Sequence, residues 1–165
     1  MSCASALQNF AAREFTNWNG LPESCSLAEV TQQFRLMNEG YGLARLGDTK
    51  REFRMLIVEG YEHPVQLWSD GPRVLMLDVK YPSLSSSEVA VLLNALGAPQ
   101  AKLDYDWGTM RIEKGEWVYS DRGLALFVAP DSSSVFHLAV FPRTTMQDYQ
   151  DGFQLHLGKR RFPKR

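Results

Sequence analysis

Apolar positions along the chain follow two alternating rhythms. Val89, Leu92, Leu93 and Leu96 recur at helical spacing behind Ser85-Ser86-Ser87-Glu88. In that S-x-x-E box the Ser hydroxyl accepts from a first-turn amide while the Glu reaches back to the cap amide. Leu84 is placed to staple onto Val89, Gly97 suits a C-terminal cap, and Pro99 stops continuation. A second box, Ser26-Leu27-Ala28-Glu29 before Val30, starts another helix about sixty residues earlier. Strand patterns follow each helix at the same offset. Leu56–Glu59 lies over Trp117–Ser120, Val65–Trp68 over Ala125–Val128, and Val74–Pro82 over Val135–Pro142. Glu62-His63-Pro64, Asp70-Gly71-Pro72, Asp121-Arg122-Gly123 and the run from Pro130 to Ser134 supply turns between them. An extra strand is expected near Leu103 to Ile112, whereas Gly40-Tyr41-Gly42 reads as a loop.

A constant offset from helix cap to last strand predicts an α+β fold made of two tandem helix-plus-antiparallel-sheet repeats, each about sixty residues long. Their expected bounds are 25–82 and 83–143, in one compact body with an N-terminal helical cap over 1–24 and a C-terminal helix and basic tail over 144–165. Leu7, Phe10, Ala11 and Phe15 have the spacing of an amphipathic helix, and Thr144-Thr145-Met146-Gln147 opens another towards Tyr149 and Phe153. Both end helices are placed to seal sheet edges.

Alternation sorts the two sheet faces. Leu75, Leu77 and Val79, with Phe136, Leu138 and Val140, are expected against the helices. Val74, Met76, Asp78 and Lys80, with Val135, His137, Ala139 and Phe141, point the other way. This second face is too apolar for one that only meets water, so it is expected to contact another molecule.

Glu88-Val89, Leu96-Gly97-x-Pro99, Trp117-x-Tyr119 and the alternating strand at Val135 together resemble the pattern of the small outer-membrane lipoprotein SmpA/OmlA family. The resemblance covers residues 84–142 and, through the repeat, 25–82. It implies a unit of helices packed on three strands that serves non-catalytically as an assembly factor. Doubling such a unit is similar to the tandem architecture of the secreted beta-lactamase inhibitor protein, which implies binding through a concave sheet. No lipobox cysteine follows a signal peptide here, and Met37-Asn38-Glu39-Gly40 stands where the second half has Gly97-Ala98-Pro99. No catalytic residue travels with the resemblance.

Composition narrows the classes. With 44% hydrophobic and 22% charged residues the chain is too apolar for disorder, and no run reaches the ~18 apolar residues of a membrane-spanning helix. The formal charge of -1 hides a split: Lys159, Arg160, Arg161, Lys164 and Arg165 sit in the tail, leaving 13 basic and 19 acidic residues before it. The tail reads as a solvated end. Met1 to Leu7 lacks the charged and apolar regions of a secretory signal, which places the expected protein in the cytoplasm. Cys3 and Cys25 could form one disulfide, but without neighbouring Cys or His they read as reduced bystanders.

Chemistry is sparse. His63 precedes Pro64 in a turn, His137 lies mid-strand among apolar neighbours, and His156 is near the tail; none has metal-ligand spacing. Asp104 and Asp106 would share a strand face beside Tyr105 and Trp107, an arrangement resembling paired sugar-cleaving acids, yet neighbours two apart sit near 7 Å and an Asp-rich turn explains them as well. No glycine-rich phosphate loop occurs, so no cofactor is assigned. Nucleic-acid binding ranks third, because the acidic body repels phosphates.

The expected function is therefore that of a non-enzymatic protein-binding module, of inhibitor or immunity type, facing a basic partner. Trp68, Met76, Asp78, His137 and Phe141 are its expected contact residues. The alternative is a carrier of a small ligand or lipid with an apolar pocket between the sheets, lined by Tyr105, Trp107 and Met110. Open strand edges would also allow a homodimer.

Overall fold

The computed structural model describes residues 1–157; the basic tail, and the reading of it as a solvated end, lie outside the described residues. The fold is α+β, with an antiparallel sheet. Helix α1 (Cys3–Ala11) starts at Ser2, whose hydroxyl accepts from the Ser5 amide. Helices α2 (Leu27–Gln33) and α3 (Ser86–Leu96) start at Ser26 and Ser85, and both boxes close reciprocally with Glu29 and Glu88. The amide and hydroxyl of Ser85 hold the Glu88 carboxyl below its usual range. Helix α3 stops at Gly97, whose φ of +71° favours a residue without Cβ.

Among the described residues nine strands form one sheet: β1 (Arg35–Leu36), β2 (Gly42–Leu46), β3 (Thr49–Ile57), β4 (Val65–Asp70), β5 (Arg73–Lys80), β6 (Ala101–Trp107), β7 (Met110–Tyr119), β8 (Leu124–Val128) and β9 (Val135–Val140). The spatial order is β1-β3-β4-β5-β9-β8-β7-β6, with β2 also paired to β3. Strand β5 meets β9 in the middle, Leu77 opposite Val140 and Lys80 opposite His137, so the sheet is continuous. The supposed loop at Gly42 opens β2, and the extra strand expected over Leu103–Ile112 is instead a hairpin, because Gly108 turns the chain between β6 and β7.

Two bulges overturn part of the expected face assignment. Trp68 pairs with Met76 and Ser69 with Val74, which leaves Leu75 as the unpaired residue; Phe127 pairs with His137 and Val128 with Val135, which leaves Phe136. An extra residue in one strand reverses the alternation beyond it. Leu77, Val79, Leu138 and Val140 pack with α1, α2 and α3 as expected, joined by Val74 and Val135, whereas Leu75 and Phe136 pack on the opposite side.

That opposite side is not an open face. Helix α4 (Met146–Gly152) starts at Thr145, which accepts from the Asp148 amide, and the chain from α4 to Leu157 lies over it. Tyr149 is fully buried, Phe153 stacks on Phe141 at 5.4 Å, and Leu155 joins the same cluster. The C-terminal element therefore covers a face rather than an edge. Trp68, Met76, Asp78, His137 and Phe141, expected to be available to a partner, are 0 to 7% exposed. Their apolar character, which pointed to an outside contact, is satisfied within the chain.

The cysteines are corrected as well. Cys3 and Cys25 form a disulfide with Cα atoms 5.2 Å apart, tying the start of α1 to the approach of α2. Sequence spacing does not show that the fold brings these two positions together.

Candidate functional site

Two acids are buried on the covered sheet face. Asp78, on β5, sits between neighbours from β4 and β9: Trp68 Nε1–H donates to Oδ2 at 2.6 Å, and His137 Nε2 lies 2.6 Å from Oδ1. With Asp78 accepting at both oxygens, His137 presents its Nε2–H to it. His137 Nδ1 has no hydrogen-bond partner among the described residues. Phe127 and Trp107 stand edge-on to the ring at centroid distances of 5.8 and 6.1 Å. The Asp–His connectivity is that of an oriented general base, but here the ring is enclosed by aromatic packing.

Glu116, on β7, is the second acid and is 1% exposed. Tyr149 Oη donates to its Oε2 at 2.6 Å, and Gln154 Nε2 lies 3.3 Å from both carboxylate oxygens. Burial pushes the Glu116 carboxyl up to about 7, although both hydrogen bonds pull against it. Burial first, and then the adjoining Glu116, drive the Tyr149 hydroxyl well above its usual value. Sequence reasoning missed Glu116. Its signal was a charge two positions before Val118, on the strand side opposite the core residues Trp117 and Tyr119.

Asp104 and Asp106 do share a neighbour, but it is a cation. Arg111 reaches Asp104 at 3.4 Å and Asp106 at 3.2 Å, and the Lys114 amide donates to Asp104 at 2.8 Å. The expected ligand trio does not assemble into an apolar pocket. Tyr105 donates to the Val128 carbonyl at 2.9 Å, Trp107 stacks on Phe136 at 5.3 Å, and Met110 is 47% exposed. The cavity that Tyr105 borders is about 160 Å³ and also holds Asp104, Asp106, Arg111 and Glu116, a polar lining. With one continuous sheet, the space between two sheets imagined for that pocket is absent among the described residues.

Exposed apolar surface concentrates elsewhere. Leu36, Tyr41, Leu43 and Ile57 are four of the eight large hydrophobic residues exposed among the described residues, and Tyr41 and Leu43 are 73% and 66% accessible. Leu36, Tyr41 and Leu43 line a groove of about 470 Å³ on the β1–β2–β3 margin, with Met37 and Phe53, and Ile57 ends β3 opposite Arg35. Strand β2 pairs only with β3, so its other side is an open strand edge among the described residues. Among the described residues no group of three or more His, Cys, Asp or Glu side chains could hold a metal, and no helix is long and apolar enough to cross a membrane.

No protein-family model, curated protein or solved structure matches the chain.

Proposed function

We propose that this chain is a non-enzymatic protein-binding module that takes an extended segment of its partner along the open edge of β2. The observation that carries this reading is the gathering of Tyr41, Leu43, Leu36 and Ile57 at one sheet margin. Exposed apolar residues beside unpaired strand groups are what strand addition uses: backbone bonds supply affinity and side-chain pockets supply specificity. The contact surface is thus moved from the covered face to this margin. The excess of 19 acidic over 13 basic residues before the tail suits a basic partner, of the kind an inhibitor or immunity protein neutralises. Packing of Trp107 and Phe127 around His137 supports the non-enzymatic part of the reading.

The same reading takes the fold as a duplication. The closed capping boxes at Ser26 and Ser85, and the bulged residues Leu75 and Phe136, each recur at an offset of about sixty residues. This supports, at the level of architecture, the resemblance to the tandem SmpA/OmlA-like and beta-lactamase-inhibitor-like arrangement. The Cys3–Cys25 disulfide supports work in an oxidising compartment in place of the cytoplasm.

The test is affinity capture from native extract with the parent chain and a Tyr41→Ser/Leu43→Ser variant, alongside light scattering of each. A captured protein identified with the parent and lost at least tenfold with the variant, at unchanged melting temperature, supports the reading. Equal capture by both removes the margin as the contact surface. A parent dimer that the variant dissociates would make a second copy of this chain the partner.

A further inference from the structure

A second cavity, of about 490 Å³, lies between β2, the start of β3, β4 and the chain segment after α4. Its apolar walls include Leu43, Trp68, Leu155 and Leu157. Trp68 is fixed by its bond to Asp78, and the segment after α4 is pinned to the β2–β3 turn by Gly47 N–H donating to the Gln154 carbonyl at 2.8 Å. The volume falls within the roughly 300–1,000 Å³ range of small-molecule sites.

The charged part of the lining has one sign. Arg45 and Lys50 both border the cavity and are direct cross-strand partners, and no carboxylate among the described residues borders it. Like charges set opposite one another on a strand pair destabilise it, so this arrangement runs against stability in a body where acids outnumber bases. Among the described residues Arg45 has one carboxylate, Asp48 at 3.6 Å, in an ion pair more than half exposed on both sides. Such a pair offsets little. Lys50 has no ion pair among the described residues. Gln66 and His156 supply the remaining polar lining; His156 Nε2 donates to the Gly47 carbonyl at 2.8 Å, which fixes that ring.

We infer that this cavity binds a small organic anion with an apolar body, its carboxylate between Arg45 and Lys50 and its hydrocarbon against Trp68, Leu155 and Leu157. The inference stands apart from strand addition at the β2 edge, although Leu43 borders both places.

The experiment is calorimetric titration of the full chain with decanoate, and with 1-decanol as the neutral counterpart of equal length. The parent chain is expected to bind decanoate with a dissociation constant below about 1 mM and decanol at least tenfold more weakly. Lys50→Met is expected to weaken decanoate about fivefold to tenfold, and Lys50→Glu more, with decanol unchanged in both. Because Lys50 has no ion pair among the described residues and its charge repels that of Arg45, these variants match or exceed the parent's melting temperature, and partner capture in the preceding experiment is unaffected by them. No decanoate binding at 1 mM overturns the inference. So does equal affinity for acid and alcohol, or decanoate binding that Lys50→Glu leaves intact, since either would show an apolar groove without anion recognition.

Discussion

Tyr149 donates its hydroxyl to the buried carboxylate of Glu116 at 2.6 Å, so the C-terminal element that packs over one sheet face is fastened to an acid that burial pushes up to about 7. Covering and titration are thereby linked. A carboxyl with a raised folded-state pKa binds more protons folded than unfolded. Its favourable contribution is complete below the ordinary carboxyl range and is lost as pH rises to about 7.

Stability measured by urea unfolding should therefore fall between about pH 4.5 and pH 7 by up to about 3 kcal/mol from this group alone. Glu116→Gln removes the ionisation and keeps an acceptor for Tyr149. The variant should lose that component of the pH dependence and be more stable than the parent at pH 8. Tyr149→Phe removes the stronger of the two hydrogen bonds holding the pKa down, so the parent's transition should move to still higher pH. A parent and Glu116→Gln with superimposable pH curves would show that Glu116 does not titrate in this range.

The starts of α2 and α3 were legible because a capping box is written within four residues: Ser26 to Glu29 and Ser85 to Glu88 contain all the atoms that close it. The antiparallel hairpins were legible for the same local reason. Leu75 and Phe136 were assigned to the wrong face because a bulge is a property of a strand pair, decided by where Trp68 and Phe127 fall opposite them. Asp78 and His137 looked like surface residues because the rings that enclose them, Trp68, Trp107 and Phe127, come from neighbouring strands whose approach is not written beside either residue. Strand β2 was hidden by Gly40 and Gly42, which read as turn residues, and the charged run Thr49–Glu52 masked the start of its partner β3.

Asp78 holds two ring donors in a dry setting, which predicts a steep difference between two substitutions. Asp78→Asn keeps one acceptor for Trp68, and a change of tautomer lets His137 accept from the new amide. It should cost about 1 kcal/mol. Asp78→Ala strands both N–H groups and leaves a small void, which should cost about 3–5 kcal/mol in denaturant unfolding. Equal losses would mean that the array contributes little beyond its volume.

The disulfide spans 22 residues and should stabilise by roughly 3 kcal/mol through the unfolded chain. Iodoacetamide should add nothing to the unfolded, unreduced protein and two adducts after reduction. Cys3→Ser/Cys25→Ser should lower the melting temperature by several degrees while α3 and the sheet core stay folded. Two adducts without reduction would return both cysteines to the thiol state.

Gly47 and Gly71 share a φ of +58° but differ in what a side chain would meet. A Cβ on Gly71 has nothing within 4 Å, so Gly71→Ala should cost only backbone strain, about 1 kcal/mol. At Gly47 the Cβ would collide with the Asp151 carbonyl oxygen, against the backbone that α4 uses to hold the β2–β3 turn. Gly47 and Asp48 amides donate there to Gln154 and Asp151 carbonyls at 2.8 and 2.7 Å. Relief requires the turn and the covering segment to separate, which breaks these bonds and loosens the contacts of Leu155 and Phe153. Gly47→Ala should therefore cost on the order of 2–4 kcal/mol and speed hydrogen exchange selectively in residues 146–157. If Gly47→Ala matches Gly71→Ala in both stability and exchange, the C-terminal element is not fastened at this turn.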